Sequence, residues 1–75
     1  MYDTTEVIKL AREIFDDEQL ELTTKLEEAY GYDSMAHVQF IVELEGVFNI
    51  SLEDGEISRT QTFEEVWKVV AKKVG

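Results

Sequence analysis

The stretch Asp33-Ser34-Met35-Ala36-His37-Val38-Gln39-Phe40-Ile41-Val42-Glu43-Leu44-Glu45-Gly46-Val47-Phe48 decides the fold class of this chain. It opens on Asp and Ser, two residue types whose side chains often satisfy the free N–H groups at a helix start. It then spaces Met35, Val38, Ile41, Val42, Leu44 and Phe48 as an apolar helical stripe. The segment reads as a helix beginning at Asp33 or Ser34.

Working outward, Asp3 with Glu6 three residues later matches a capping box. Val7, Ile8, Ala11, Ile14 and Phe15 recur on one helical face behind it. The acids Asp16-Asp17-Glu18 oppose the negative end of a helix dipole, so this helix should stop there. Thr62 with Glu65 forms a second capping-box pattern. Phe63, Val66, Trp67, Val70 and Val74 make the expected buried face, with Lys72 and Lys73 suited to the C-terminal end. Two connections remain, roughly residues 17–32 and 49–61. The longer carries Leu20, Leu22 and Leu26, which should pack it down, and a helical turn after Thr24 (Thr24-x-x-Glu27). The shorter holds Ile50, Leu52 and Ile57, enough to pin one turn of helix to the core. Proline is absent, the four glycines are scattered and no repeat is present, so residues 1–75 read as a single domain. The expected fold is all-α: a small four-helix bundle, three main helices plus one short helix, with a long first loop.

Composition narrows the class. A chain 44% hydrophobic and 32% charged is too apolar for a disordered tail. Without cysteine it has no disulfide and no thiolate metal site, so the helical stripes must supply nearly all the stability. Apolar runs reach only three residues, as in Phe40-Ile41-Val42, and the N-terminus lacks the pattern of a signal peptide, so a cytoplasmic, soluble monomer with no membrane contact is expected. The net charge of −10 argues against nucleic acid and steers the chain toward basic partners. That acidity is concentrated: no Lys or Arg occurs from Leu26 through Ser58, where Glu27, Glu28, Asp33, Glu43, Glu45, Glu53, Asp54 and Glu56 lie.

Catalytic chemistry finds little support. Ser34 and His37 could share a helix face, but one helical turn supplies neither an oriented base nor an oxyanion hole, and a surface histidine is the simpler reading. Asp54-Gly55-Glu56-Ile57 mimics the middle of a calcium loop, yet aligning its glycine puts Ile50 and Leu52 at ligand positions, which excludes that site. What remains is Gly31-Tyr32-Asp33-Ser34-Met35, a glycine-containing turn followed by a serine at a helix start. A hydroxyl there is open to solvent, and a phosphate ester on it would meet free N–H groups and the positive end of the helix. A plain N-cap role for Asp33 or Ser34 explains the same residues.

The wider pattern favours the first reading. Asp33-Ser34-Met35, the stripe Val38, Phe40, Ile41, Leu44-Glu45 and Phe48, then Ile50-x-Leu52 and the Thr62-Phe63 helix start resemble the acyl carrier protein family, which includes the carriers of polyketide and nonribosomal peptide synthesis. The resemblance spans nearly the whole chain. It implies a non-catalytic carrier with 4′-phosphopantetheine on Ser34, installed from coenzyme A by a phosphopantetheinyl transferase, and with Asp33 assisting recognition. Acyl or aminoacyl groups would ride on the arm as thioesters among loading and condensing enzymes that offer basic or apolar docking patches. Met35 stands where the family usually has leucine, a near volume-conserving change. Helix two of fatty-acid carriers is crowded with exposed acids. Here Ala36, His37, Gln39, Gly46 and Val47 fill much of that face, leaving Glu43 and Glu45. Met35, Ala36, Gln39, Glu43, Glu45 and Val47 are therefore the expected docking residues, and a specialised pathway is favoured over housekeeping lipid synthesis. The competing reading is an unmodified small acidic helical adaptor for a basic protein partner.

Overall fold

The computed structural model describes residues 3–53 and 55–75. Among these residues three α-helices are present: α1 (Thr4–Ile14), α2 (Ser34–Phe48) and α3 (Phe63–Val74). A 3-10 turn, Leu26–Glu28, interrupts the long first connection. The all-α class and the three main helices stand as the sequence implies.

Each helix starts where a side chain can satisfy its first N–H groups. Asp3 accepts from Thr5 N–H at 2.9 Å. Because Glu6 N–H turns to the Asp3 carbonyl, this start is a single side-chain cap and not the expected reciprocal box. Thr62 and Glu65 do form the reciprocal pair: Glu65 N–H donates to Thr62 Oγ1 at 3.2 Å and Thr62 N–H to Glu65 Oε1 at 2.9 Å. α2 ends on Asn49, whose φ of 56° is the left-handed geometry that stops a helix.

The core is built on the rings of Phe15, Phe40 and Phe63, all fully buried with centroids 5.3–6.1 Å apart. Val7, Ile8 and Ala11 of α1, Leu44 and Phe48 of α2, and Val66 and Val70 of α3 surround them. Two assignments from periodicity change. Val74 lies exposed in the last turn of α3. In α2 the buried row is Phe40, Leu44 and Phe48, while Met35, Val38 and Val42 of the expected stripe are 82%, 59% and 54% exposed. α2 is apolar on more than one side, so periodicity cannot choose its inward face. The phenylalanines choose it, since they have the most apolar area to lose from water.

The connections are fixed by backbone bonds. Leu20 and Leu26 are buried, and Arg12 holds the Leu20 carbonyl with Nη2 at 2.8 Å and Nε at 3.1 Å. Leu26 N–H donates to the Gln61 carbonyl, Glu27 N–H to Arg59, Phe63 N–H to Thr24 and Glu64 N–H to Leu22, all at 3.0–3.1 Å. These bonds lash the two connections together beside the start of α3. The expected helical turn in 49–61 is not there among the described residues: Ile57 is buried and Ile50 and Leu52 rest on the core, but turns and extended chain carry them. Among the described residues the short helical turn sits in the first connection, one residue beyond the start expected after Thr24. Lys25 N–H donates there to Glu28 Oε1 at 2.9 Å.

Candidate functional site

The approach to α2 is held tightly. Gly31 N–H donates to the Phe15 carbonyl at 2.9 Å, and Tyr32 lays its ring on Phe15 with centroids 5.7 Å apart. Asp33 then caps the helix, accepting from Ala36 N–H on Oδ1 at 2.7 Å, while its carbonyl takes His37 N–H at 2.9 Å. The cap is thus Asp33, and Ser34 is the first helical residue. Ser34 is exposed, and its hydroxyl makes no hydrogen bond to the described residues. The N–H groups of Ser34 and Met35 stand at positions with no intrahelical acceptor, and the first turn of α2 contains no acid. An anionic ester on Ser34 Oγ fits this place: nothing covers the hydroxyl, and the helix presents its positive end. Beside Ser34 runs an open groove lined by Met35, Val38 and Gln39.

His37 is not a surface histidine. It is half-buried, with Nδ1 2.8 Å from the Tyr32 hydroxyl and Nε2 3.2 Å from the Ile57 carbonyl. The carbonyl can only accept, so Nε2 carries a proton, and in the neutral ring Nδ1 accepts from the Tyr32 hydroxyl. Burial pushes the Tyr32 phenol above its ordinary value of 10; the Arg59 charge opposes this, and Glu27 and Asp33 add to it. Both ring nitrogens are therefore engaged away from Ser34, and a Ser34–His37 nucleophile pair is not assembled. Of the calcium-like run, Asp54 lies outside the described residues. Glu56 is committed to Lys73 Nζ at 3.0 Å and to Glu53 N–H at 2.7 Å.

The six expected docking residues fall in different places. Met35 and Gln39 are exposed beside Ser34. Ala36 is half-buried against the core. Glu43 accepts from the Gln39 amide at 3.4 Å. Glu45 turns to the following loop and accepts from Leu52 N–H at 2.8 Å. Val47 lies apart from Met35, over Glu6, Lys9, Leu10 and Glu13 of α1. Val38 and Val42, which periodicity assigned to the core, are exposed on the same side as Met35. With Met35 they follow the i, i+3, i+7 spacing of one outward helical row, the same spacing that made them look buried.

Comparison with known proteins is decisive at this point. The family described as "Phosphopantetheine attachment site" matches residues 5–70. This chain belongs to that family. It is also similar to a protein named acyl carrier protein from Phytoplasma australiense, 30% identical over 59 residues that cover 79% of this chain and 78% of the relative. The family's prosthetic group is a covalent 4′-phosphopantetheine, so the chain is a phosphopantetheine carrier and not a catalyst. The adaptor reading, in which nothing is attached, gives way. Family membership also implies dealings with a phosphopantetheinyl transferase and with biosynthetic enzymes. No helix among the described residues is long and apolar enough to cross a membrane.

Proposed function

We propose that Ser34 is the residue to which the arm is attached, that Asp33 helps the transferase recognise it, and that residues 1–75 act as one carrier domain. The observation that carries this reading is the division of labour at the start of α2. Asp33 alone closes the helix cap, at 2.7 Å from Ala36 N–H, which leaves the neighbouring hydroxyl exposed and uncommitted. The bound arm supplies a terminal thiol that holds acyl or aminoacyl groups as thioesters. The chain's own part is to present the hydroxyl, to hold the phosphate near the helix start, and to offer a surface that partner enzymes read. Met35, Val38 and Gln39 line the groove where the first part of the arm would lie.

The docking surface is the outward row Met35, Val38 and Val42 with Gln39. Ala36, Glu43 and Glu45 border it with part of their surface engaged in the fold, and Val47 lies on a separate flank. A row so poor in charge favours loading and condensing enzymes with apolar patches over basic ones, and supports a carrier of a specialised polyketide or peptide pathway; we place that carrier in the cytoplasm. Incubation with coenzyme A and a broad-specificity transferase, followed by intact-mass measurement, tests the attachment. One added arm on the parent and none on Ser34→Ala is expected. A panel of loading enzymes presented with the modified chain then tests the pathway, and loading only by enzymes of fatty-acid synthesis would overturn the specialised assignment.

A further inference from the structure

Ser34 sits inside a short loop of chain that is closed across its ends. Tyr32 lies two residues before it and His37 three after, and their side chains meet at 2.8 Å with the rings edge-on, 5.7 Å apart at 84°. The closure is anchored outside itself at two points. The Tyr32 ring leans on Phe15 at the end of α1, and His37 Nε2 holds the Ile57 carbonyl in the connection to α3. Within the bracket Asp33 is fixed twice, by Ala36 N–H on its carboxylate and His37 N–H on its carbonyl. The Asp33–Ser34 backbone is therefore tied to α1, α2 and the second connection at once, while the Ser34 hydroxyl remains open.

We propose that Tyr32 and His37 are positioning residues that fix the first turn of α2, so that Ser34 is presented to the transferase in one orientation. This rests on the reading of Ser34 as the attachment residue. A serine at a frayed helix end would sample many orientations, and the transferase would have to order it in each turnover. Small misplacements of a reacting group are costly in rate. The bracket removes that ordering step before the encounter. Neither residue touches the reacting oxygen; the Tyr32 hydroxyl acts only through His37.

The test uses three variants of the full chain. Tyr32→Phe keeps the ring on Phe15 and deletes the hydroxyl. His37→Leu removes both ring bonds, and His37→Asn returns an acceptor near the position of Nδ1. Two readouts are taken at a temperature where all are folded: amide hydrogen exchange along α2, and kcat and KM for transfer from coenzyme A. Loss of one neutral hydrogen bond corresponds to about a tenfold effect. Tyr32→Phe should speed exchange at Ala36 and His37 by about that factor, and His37→Leu, which loses two bonds, should speed exchange at Ala36 and at residue 37 by at least as much. Phe40 and Leu44 should be unaffected. The same two variants should lower kcat by a similar factor with an unchanged KM for coenzyme A, and His37→Asn should recover most of it. A merely structural role would move the melting temperature and leave kcat alone, and that result would overturn the proposal. Exchange in Tyr32→Phe and His37→Leu no faster than in the parent, with the parent still modified, would overturn the bracket by itself. A parent that takes no arm, with exchange responding as expected, would instead overturn the reading of Ser34 and remove the bracket's function with it.

Discussion

The backbone of Gly31 lies directly against that of Phe15: its N–H donates to the Phe15 carbonyl at 2.9 Å, and a Cβ at residue 31 would overlap the same carbonyl. This contact ends the long first connection and sets where Tyr32, Asp33 and Ser34 begin. Gly31→Ala must push the connection off α1, and overpacking of this kind costs about 1–3 kcal/mol. Thermal melts should show a clearly lowered midpoint. A midpoint equal to the parent's would mean that the two backbones do not approach as described.

The two sides of α2 should respond oppositely to truncation. Phe40 is fully buried between Phe15 and Phe63, and Phe→Ala in a core costs about 3–5 kcal/mol, comparable with the whole stability of so small a domain. Phe40→Ala should be largely unfolded by circular dichroism at room temperature. Val42→Ala, on the exposed row, should melt within a degree or two of the parent, in keeping with the roughly 0.5 kcal/mol typical of surface changes.

Stability should fall with acid through two carboxylates. The Thr62 N–H lowers the Glu65 carboxyl below its ordinary 4.5, and the Glu53 N–H, followed by Lys73, lowers Glu56 below the same value. A depressed carboxylate contributes stability that is fully present above the unfolded value and is lost as pH falls through the folded one. Melts should therefore be level above about pH 5 as far as these groups are concerned, and decline below 4.5. Glu65→Gln and Glu56→Gln should each flatten that decline. An unaltered acid limb in both would contradict the assignment.

Transfer between the loaded carrier and its partners should depend more on the apolar row than on salt. Val38→Asp and Val42→Asp should each slow transfer about tenfold or more, as expected for central interface positions, with helix content unchanged. Raising ionic strength should alter the parent's rate less than either substitution does, because the row itself carries no charge to screen and the net charge of −10 acts only on the approach of a partner. A steep loss of rate with salt would point to docking through Glu43 and its acidic neighbours instead.

Much of this was legible in the sequence where local chemistry decides the outcome. Asp33 and Thr62 announce their helices because capping depends on one side chain and the N–H groups next to it. The buried leucines of the first connection announce that it packs. Relations across the chain were not legible. Nothing local says that His37 bonds Tyr32 and Ile57, that Glu45 serves Leu52, or that Gly31 must be bare because Phe15 stands beside it. The inward face of α2 was misread for a related reason: apolar residues occur on several of its sides, and only the three-dimensional fit of Phe15, Phe40 and Phe63 selects one. Of the proposed site, a serine at a helix start was legible in the sequence, but the separation of Ser34 from the cap held by Asp33 required the structure.

The central claim concerns one oxygen atom, Ser34 Oγ. The most direct measurement is tandem mass spectrometry of the peptide containing residues 26–59 after reaction with coenzyme A and a transferase. The account predicts a phosphopantetheine mass on Ser34 and an unmodified peptide from Ser34→Ala. An arm found on another residue, or a parent peptide left unmodified by a transferase active on another carrier, would contradict it.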